Sequence, residues 1–189
     1  MTAPARRRAT YEDVLAAPST MIAEVIDGTL YTHARPALRH ANASSNLGGL
    51  LFGPFRSGTG GPGGWVIYDE PELHLGDEPD IVVPDLGGWR RERLTALAED
   101  AAWTSIAPDW ICEVLSPSTQ TIDRTVKMAV YLRERVGHVW FVDPLARTLE
   151  VYRHGGEVWI RCAAFSDDAV VRAEPFDAID LPLAVLWER

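Results

Sequence analysis

One stretch near the middle of the chain, residues 108–127, constrains the fold more than any other. Residues 110–115 are apolar, β-branched or aromatic apart from Glu113, a pattern that predicts a buried strand with a carboxylate inside it. A carboxylate in such a strand is costly unless it is paired or holds a cation. Residues that can cap a helix follow, and apolar residues then recur at helical spacing. The predicted helix carries Lys127, the only lysine in the sequence.

The length of the chain predicts one domain. Its 189 residues can form a proper core, which we expect to span residues 10–189 behind a disordered, Arg- and Pro-rich tail at residues 1–9. No stretch is apolar for the roughly 18 residues that a membrane helix needs, and the first residues lack the apolar segment of a secretory signal. Cys112 and Cys162 lie in apolar runs, which predicts two buried thiols and no disulfide. We therefore expect a cytoplasmic protein that does not enter the membrane.

The charge of the chain limits how it can contact nucleic acid. A formal net charge of -9 argues against a protein that coats nucleic acid broadly, because such proteins are basic. A nuclease is not excluded, since a carboxylate metal site adds negative charge that bound cations offset. Contacts with nucleic acid would have to be local and made by arginine.

Strand and helix patterns alternate along the rest of the chain. The patterns predict hairpins at residues 21–32 and 148–162, a helix at 36–52, and strands at 65–69, 72–75, 80–84 and 138–144. The glycine-rich residues 57–64 lack the Lys-Ser/Thr ending of a phosphate-binding loop and are predicted to be a plain connection. Residues 87–105 are predicted to be a solvated loop with at most one helix, and the apolar tail 176–187 a lid or edge strand.

Three acids occupy positions where core residues are expected, namely Glu24, Asp80 and Glu113. Brought together at one end of a sheet, they would form an oxygen-rich site that suits Mg²⁺, with Mn²⁺ as a second option. Such a metal can polarise a phosphodiester, and a nearby lysine can orient water or balance charge in the transition state.

Each of these signals also has a structural interpretation. Glu24 can face solvent on an edge strand, and Asp80 after a proline can be an ordinary turn acid. Glu113 can pair with an arginine inside the protein. Lys127 lies four residues after Asp123, a spacing that by itself stabilises a helix through an ion pair.

Several strings in the sequence, taken together, carry a family resemblance. They are Glu-Val-Ile-Asp-Gly at 24–28, His40, Pro79-Asp80, Glu-Val-Leu-Ser-Pro-Ser-Thr at 113–119, Asp123 with Lys127, Tyr131, and Val-Trp-Phe-Val-Asp-Pro at 139–144. With this combination the chain resembles the Uma-type restriction endonuclease family of the PD-(D/E)XK superfamily. The resemblance covers roughly residues 10–160, and its most specific part is the 113–119 string with the lysine downstream.

The resemblance implies a restriction-endonuclease-like core, an α/β (α+β) fold in which a mixed β-sheet is flanked by helices and carries added β-hairpins. It implies that Asp80 is the acid of the first motif and Glu113 that of the second, and that both hold the metal. Leu115 occupies the usual position of the catalytic lysine, so Lys127 from the next helix takes that role. Glu24 is expected to complete the catalytic set.

His40 is the remaining candidate, as a substrate-binding residue. The functional interpretation is a phosphate contact or a proton relay near the site. A single histidine beside the apolar face of a helix is often structural, so that interpretation also stays open.

The leading function is a Mg²⁺-dependent endonuclease that hydrolyses DNA phosphodiester bonds. The alternative is a catalytically inactive protein that keeps the nuclease fold and binds nucleic acid or a protein partner. A third class, a metalloenzyme acting on a small phosphoester, has no nucleotide-binding signature to support it. Cutting both strands of DNA needs two active sites, so a homodimer is expected.

The site hypothesis makes three geometric predictions. The side-chain oxygens of Asp80 and Glu113 should lie within about 6 Å of each other, so that they can share one cation. Glu24 should point into the same cleft. Lys127 should sit at the partly exposed rim of its helix, so that replacing it with alanine leaves the fold nearly intact.

Overall fold

The structure of the chain, a computed structural model, describes residues 7–94 and 100–188. It combines several β-sheets with flanking helices, so the predicted mixed α+β fold class is confirmed. The strands of the described residues are β1 (Met21–Ile26), β2 (Thr29–Ala34), β3 (Trp65–Asp69), β4 (Leu73–Leu75), β5 (Asp80–Val82), β6 (Leu86–Arg90), β7 (Trp110–Val114), β8 (His138–Asp143), β9 (Thr148–His154), β10 (Trp159–Ser166), β11 (Val170–Val171) and β12 (Leu181–Pro182). The α-helices are α1 (Tyr11–Leu15), α2 (Leu38–Leu51), α3 (Gln120–Ile122), α4 (Met128–Arg133) and α5 (Ala184–Trp187). A π-helical segment, Phe52–Ser57, extends α2, a second, Asp123–Lys127, joins α3 to α4, and Arg91–Leu94 form a 3₁₀ turn.

The larger sheet has the strand order β10-β9-β8-β7-β6-β3. Its parallel pair is β7 with β8, and the helical run from α3 to α4 makes the crossover between them. This is the strand and helix unit predicted from residues 108–127. The hairpin of β9 and β10 lies at one edge of the sheet, as the alternation of its residues predicted.

The smaller sheet has the order β2-β1-β5-β4. Its β1–β2 hairpin turns at Asp27 and Gly28, which both have positive φ, 49° and 69°. A tight hairpin turn requires that geometry, which Asp-Gly adopts readily. Strand β5 pairs with β1 through Val25 and Ile81, so residue 80 starts β5 close to this turn.

Two apolar clusters cover the two faces of the larger sheet. On β7, Trp110, Cys112 and Val114 belong to a cluster with α2 and α5. Ile111 and Leu115 belong to a cluster with the smaller sheet and the α3–α4 run. Because side chains alternate along a strand, Glu113 shares the face of Ile111 and Leu115, towards the helix that carries Lys127.

Strand β6 corrects the prediction of a solvated loop at residues 87–105. Residues 86–89 are buried between β3 and β7. Gly88 makes this possible, since a Cβ there would lie 3.0 Å from the ring of Trp110 and 3.4 Å from that of Trp65. The loop was predicted from the Arg-, Glu- and Ala-rich composition of residues 87–105, whereas the glycines of β6 provide space for tryptophans. Residues 95–99 of the predicted loop lie outside the described residues.

The two ends of the chain differ from the sequence prediction in detail. Residues 1–6 of the predicted disordered tail lie outside the described residues, whereas the amide of Ala9 donates to the carbonyl of Gly28 at 2.8 Å. The C-terminal tail packs its helix α5 on α2, where the Asn46 side chain donates to the carbonyl of Val185 at 2.7 Å. Of the two cysteines, Cys112 is buried as predicted but Cys162 is exposed on the edge strand β10. None of the helices in the described ranges is long and apolar enough to cross a bilayer.

Candidate active site

Lys127 lies at the centre of a buried cluster of carboxylates. Its Nζ is 2.9 Å from Glu24 Oε1, 3.1 Å from Glu113 Oε1 and 3.6 Å from Asp123 Oδ1. These acids come from β1, β7 and the helix itself, so the cluster joins both sheets to the crossover. The lysine side chain is 3% exposed. The prediction of a partly exposed lysine at the helix rim is therefore wrong.

Lys127 points inward because it shares one helix face with Asp123 and Tyr131, which lie four residues before it and four residues after it. The predicted apolar face included Ala129, but that residue is exposed. Asp123, Lys127 and Tyr131 point inward instead and form a polar stripe along the buried side of the helix.

One oxygen of Glu113 contacts two residues of this stripe. The hydroxyl of Tyr131 donates to Glu113 Oε1 at 2.5 Å, and Lys127 contacts the same oxygen. Burial raises the pKa of Glu113 well above its usual value; the charge of Lys127 opposes this, and the charges of Asp123, Asp85 and Glu24 add to it. Burial lowers the pKa of Lys127, but the charges of Glu113 and Glu24 outweigh burial and raise it well above its usual value. Lys127 is therefore an ammonium ion.

Glu24 is buried beside Lys127. Its Oε1 accepts a hydrogen bond from the amide of Val83 at 2.8 Å in addition to the contact with the lysine. The interpretation of Glu24 as a solvent-facing residue of an edge strand is therefore wrong. Its position agrees with the prediction that Glu24 and Glu113 face the same place.

Asp80 lies elsewhere, and the structure does not bring it to Glu113. One of its oxygens accepts from the amide of Asp27 at 2.7 Å, and the other pairs with the guanidinium of Arg133. Asp80 lines a separate pocket with these residues, because it starts β5 at the end next to the Asp27 turn. The predicted cation site between Asp80 and Glu113 is corrected accordingly.

Asp85 occupies the place that was predicted for Asp80. Its Oδ2 accepts from the amide of Val114 at 2.7 Å, directly after Glu113, and its Oδ1 is 3.2 Å from Nε2 of His40. The sequence contains the same dipeptide twice, as Pro79-Asp80 and Pro84-Asp85. That repeat is the signal that could have identified Asp85.

His40 reaches this site from α2. Its pKa is raised: burial lowers it, but the hydrogen bond and charge of Asp85 outweigh burial. Among the described residues, no hydrogen-bond partner meets its buried Nδ1. The structure thus places His40 against a carboxylate, and its predicted contact with a phosphate stays a prediction.

One cavity of about 250 Å³ connects these groups. Its acidic wall residues are Glu70, Asp85, Glu113 and Asp123. Its basic wall residues are His33, Arg35, His40 and Lys127. The cavity therefore combines carboxylate oxygens with a buried ammonium, which is the chemistry needed to hold a hydrated cation beside an anion.

The carboxylate oxygens on the cavity wall are ligands of the kind that Mg²⁺ prefers. Within residues 7–94 and 100–188, no three or more His, Cys, Asp or Glu side chains are arranged as a complete metal site. Mg²⁺ does not require one, because it binds through one or two carboxylates and takes its other ligands from water and phosphate. Asp85 and Glu113 on the cavity wall supply that number of hard oxygen ligands.

Comparisons with known proteins identify the family and the fold of the chain. The model of the Uma2 family, described as "Putative restriction endonuclease", matches residues 9–185. The crystal structure of "a putative nuclease belonging to DUF820" from Anabaena variabilis ATCC 29413 superposes with a TM-score of 0.73 at 24% identity, covering 94% of this chain and 97% of that chain. The likeness shows a shared fold. No curated protein matches the sequence significantly.

Proposed function

The chain belongs to the Uma2 family, and we propose that it is a Mg²⁺-dependent endonuclease that hydrolyses DNA phosphodiester bonds in the cavity beside Lys127. Family membership supports nuclease chemistry in general. The metal, the DNA substrate and the roles of individual residues are our proposal, argued from the cavity.

One observation carries the proposal: a fully buried ammonium shares a cavity wall with more carboxylates than it can neutralise. Lys127 contacts Glu24, Glu113 and Asp123, and Asp85 adds a further acid to the wall. Buried ion pairs contribute little to stability, because removing charges from water costs about as much as their attraction returns. Strongly shifted pKa values of this kind are concentrated at functional sites. A bound metal cation would offset the negative charge that Lys127 leaves unneutralised.

The residues that would hold the metal are Asp85 and Glu113. When bound there, Mg²⁺ would polarise the scissile phosphate and offset its negative charge, and Mn²⁺ can replace it. Glu113 is held by Tyr131 and Lys127, and Asp85 is held by the amide of Val114 and by His40, so both carboxylates have fixed orientations. Asp80 has no part in this proposal.

The remaining roles in the proposal concern the charge of Lys127 and the acids that orient its ammonium. Because Lys127 stays protonated, it serves as a fixed positive charge next to the phosphate and not as a general base. Glu24 and Asp123 orient the ammonium from two sides. A water molecule is the nucleophile of the hydrolysis.

We also propose that the protein acts as a homodimer. Each chain contributes one cavity, and a cut through both strands of a duplex needs two. Light scattering in solution tests this separately from activity. A monomer that nicks only one strand would contradict the homodimer proposal and leave the nuclease proposal standing.

The test is Mg²⁺-dependent cleavage of supercoiled plasmid DNA by the purified protein. We expect conversion to nicked or linear DNA that stops in EDTA and falls at least about a hundredfold in Glu113→Gln. Glu157→Gln makes the same charge change in an exposed hairpin and serves as the matched control. DNA that is bound but never cut, with or without Mg²⁺, would support the inactive alternative. Competition by a small phosphodiester would indicate the third class.

A further inference from the structure

An ion pair closes one side of the cavity mouth. Arg35, in the loop between β2 and α2, places Nη1 at 3.3 Å from Oε2 of Glu70, in the loop between β3 and β4. Both residues line the cavity. Their side chains are 59% and 36% exposed, so the pair lies where the cavity meets solvent.

Arg35 carries the available fixed positive charge of the cavity. Among the wall residues that the structure describes, the lysine and arginine side chains are Lys127 and Arg35. The charge of Lys127 is already offset by three buried carboxylates. An arginine side chain stays charged in proteins, so Arg35 supplies a permanent charge. In a protein of net charge -9, an incoming phosphate needs a local cation, and Arg35 is positioned to provide it.

Glu70 is held in place by the same strand end that carries Asp85. Its amide donates to the carbonyl of Asp85 at 3.0 Å. Its φ is +43°, a left-handed conformation that is uncommon for residues other than glycine. Such strained backbone is found where the surrounding structure fixes it, often at functional sites. The backbone of Glu70 is therefore fixed at the cavity mouth, where its carboxylate meets the longer side chain of Arg35.

We propose that Arg35 is the residue that binds the substrate phosphate at the cavity mouth, and that Glu70 is its built-in competitor. This inference rests on the proposed nuclease function. In the free protein Glu70 occupies the guanidinium, and a DNA phosphate enters by replacing the Glu70 carboxylate on Arg35.

A phosphate can replace the Glu70 carboxylate on Arg35, and Glu70 can return when the phosphate leaves. An exposed ion pair is weak, because solvent screens it and both side chains lose freedom when they form it. A phosphate offers the planar guanidinium two acceptor oxygens and binds it as a fork, which lysine cannot reproduce. The Glu70 pair is thus strong enough to hold Arg35 at the mouth and weak enough to give way to DNA. Small anions compete less well, since they lack the other contacts of the duplex.

The experiment compares Arg35→Gln, Glu70→Gln and the double variant with the wild type and with Arg172→Gln. Arg172 forms an exposed pair with Asp180 away from the cavity, so it is the matched control for loss of one arginine. Initial rates of Mg²⁺-dependent plasmid nicking are measured over a range of DNA and salt concentrations. The readouts are KM, kcat and the slope of log(1/KM) against log salt concentration.

We expect Arg35→Gln to raise KM about tenfold with kcat nearly unchanged, and to make the salt slope shallower by about 1, as for one lost phosphate contact. Glu70→Gln should lower KM about threefold, because Arg35 no longer has a competitor. In the Arg35→Gln background, Glu70→Gln should have little effect, and Arg172→Gln should match the wild type.

Three results would overturn the inference. Equal KM values and salt slopes for Arg35→Gln and Arg172→Gln would show that Arg35 does not bind phosphate. Glu70→Gln lowering KM equally with and without Arg35 would show general charge repulsion and no competition. A wild-type protein that cuts no DNA would remove the proposed function and this inference together, whereas the first two results leave the proposed function standing.

Discussion

Two pockets of this molecule start from the same sequence elements and differ in what they can do. Asp80 and Asp85 each follow a proline, and each lies near a cation of the same helical run, Arg133 for Asp80 and Lys127 for the Asp85 cavity. Both oxygens of Asp80 have partners, Arg133 and the Asp27 amide, and Arg133 is 49% exposed. Asp80 itself is therefore fully paired, although the pocket around it is lined by further acids.

The lysine cavity differs because its cation is buried. Lys127 is 3% exposed and contacts the carboxylates of Glu24, Glu113 and Asp123, and Asp85 lies on the wall of the same cavity. The difference shows that a buried acid alone does not identify an active site. A group of buried carboxylates around one buried cation is the better guide, because burial and neighbouring charges shift pKa values there as they do at functional sites.

The largest expected difference between the two pockets is in cleavage. Asp85→Asn should reduce Mg²⁺-dependent plasmid cleavage at least about a hundredfold, because it removes a proposed metal ligand while keeping the acceptor for Val114. Asp80→Asn, the matched change after the other proline, should stay within about threefold of the wild type once folding is confirmed. Equal losses in the two variants would erase the distinction between the pockets.

The next difference is in stability. Lys127→Met leaves three buried carboxylates without their cation and should lower the free energy of unfolding by about 3–5 kcal/mol. Arg133→Met should cost only about 1–2 kcal/mol, since water can reach the half-exposed position that the guanidinium leaves. Urea unfolding measures both. A Lys127→Met protein as stable as the wild type would mean that the buried acids take up protons at little cost.

A smaller difference in cleavage rate is expected between the acids that contact Lys127 and Arg133. Glu24→Gln keeps an acceptor for the Val83 amide but removes the charge next to Lys127, and should slow cleavage about tenfold. Asp27→Asn, which removes the exposed acid 3.7 Å from Arg133, should leave the rate unchanged. Rates measured at saturating DNA provide the comparison. Equal rates for Glu24→Gln and the wild type would return Glu24 to a structural role.

The smallest effect is expected at Tyr131. Glu113 Oε1 has two donors, Tyr131 and Lys127, whereas each Asp80 oxygen has a single partner. Tyr131→Phe should therefore lower the free energy of unfolding by only about 1–2 kcal/mol and slow cleavage a few-fold. Calorimetry and plasmid cleavage check the two values. A loss as large as that of Glu113→Gln would mean that Tyr131 itself takes part in the reaction.

The sequence predicted those parts of the fold that have a local pattern. The run of residues 110–115 gave the buried strand, the helix after it was expected from its caps, and Asp27-Gly28 predicted the hairpin. Strand β6 was missed because residues 87–105 are rich in Arg, Glu and Ala, and the space that its two glycines leave for the neighbouring tryptophans is known only from the structure. Space of this kind is a property of the tertiary structure and has no signal in a single sequence.

The site was predicted in part for a similar reason. Glu24, Glu113 and Lys127 were expected near one another and are in contact, since each interrupts or follows an apolar run. Asp85 was missed because Asp80 and Asp85 lie where β5 and β6 begin, in two different sheets, which spacing does not reveal. The depth of Lys127 was missed because the predicted buried face of its helix included Ala129 and left out Asp123, and the structure has the opposite.

The most direct test of the central claim is a crystal structure of the protein soaked with Mn²⁺, with the ion located by its anomalous scattering. The account predicts an ion in the lysine cavity, bound by side-chain oxygens of Asp85 and Glu113 at roughly 2.0–2.6 Å, with Asp80 still paired to Arg133. An ion bound at Asp80, or a cavity that stays without metal at millimolar Mn²⁺ while the protein cleaves DNA, would contradict it.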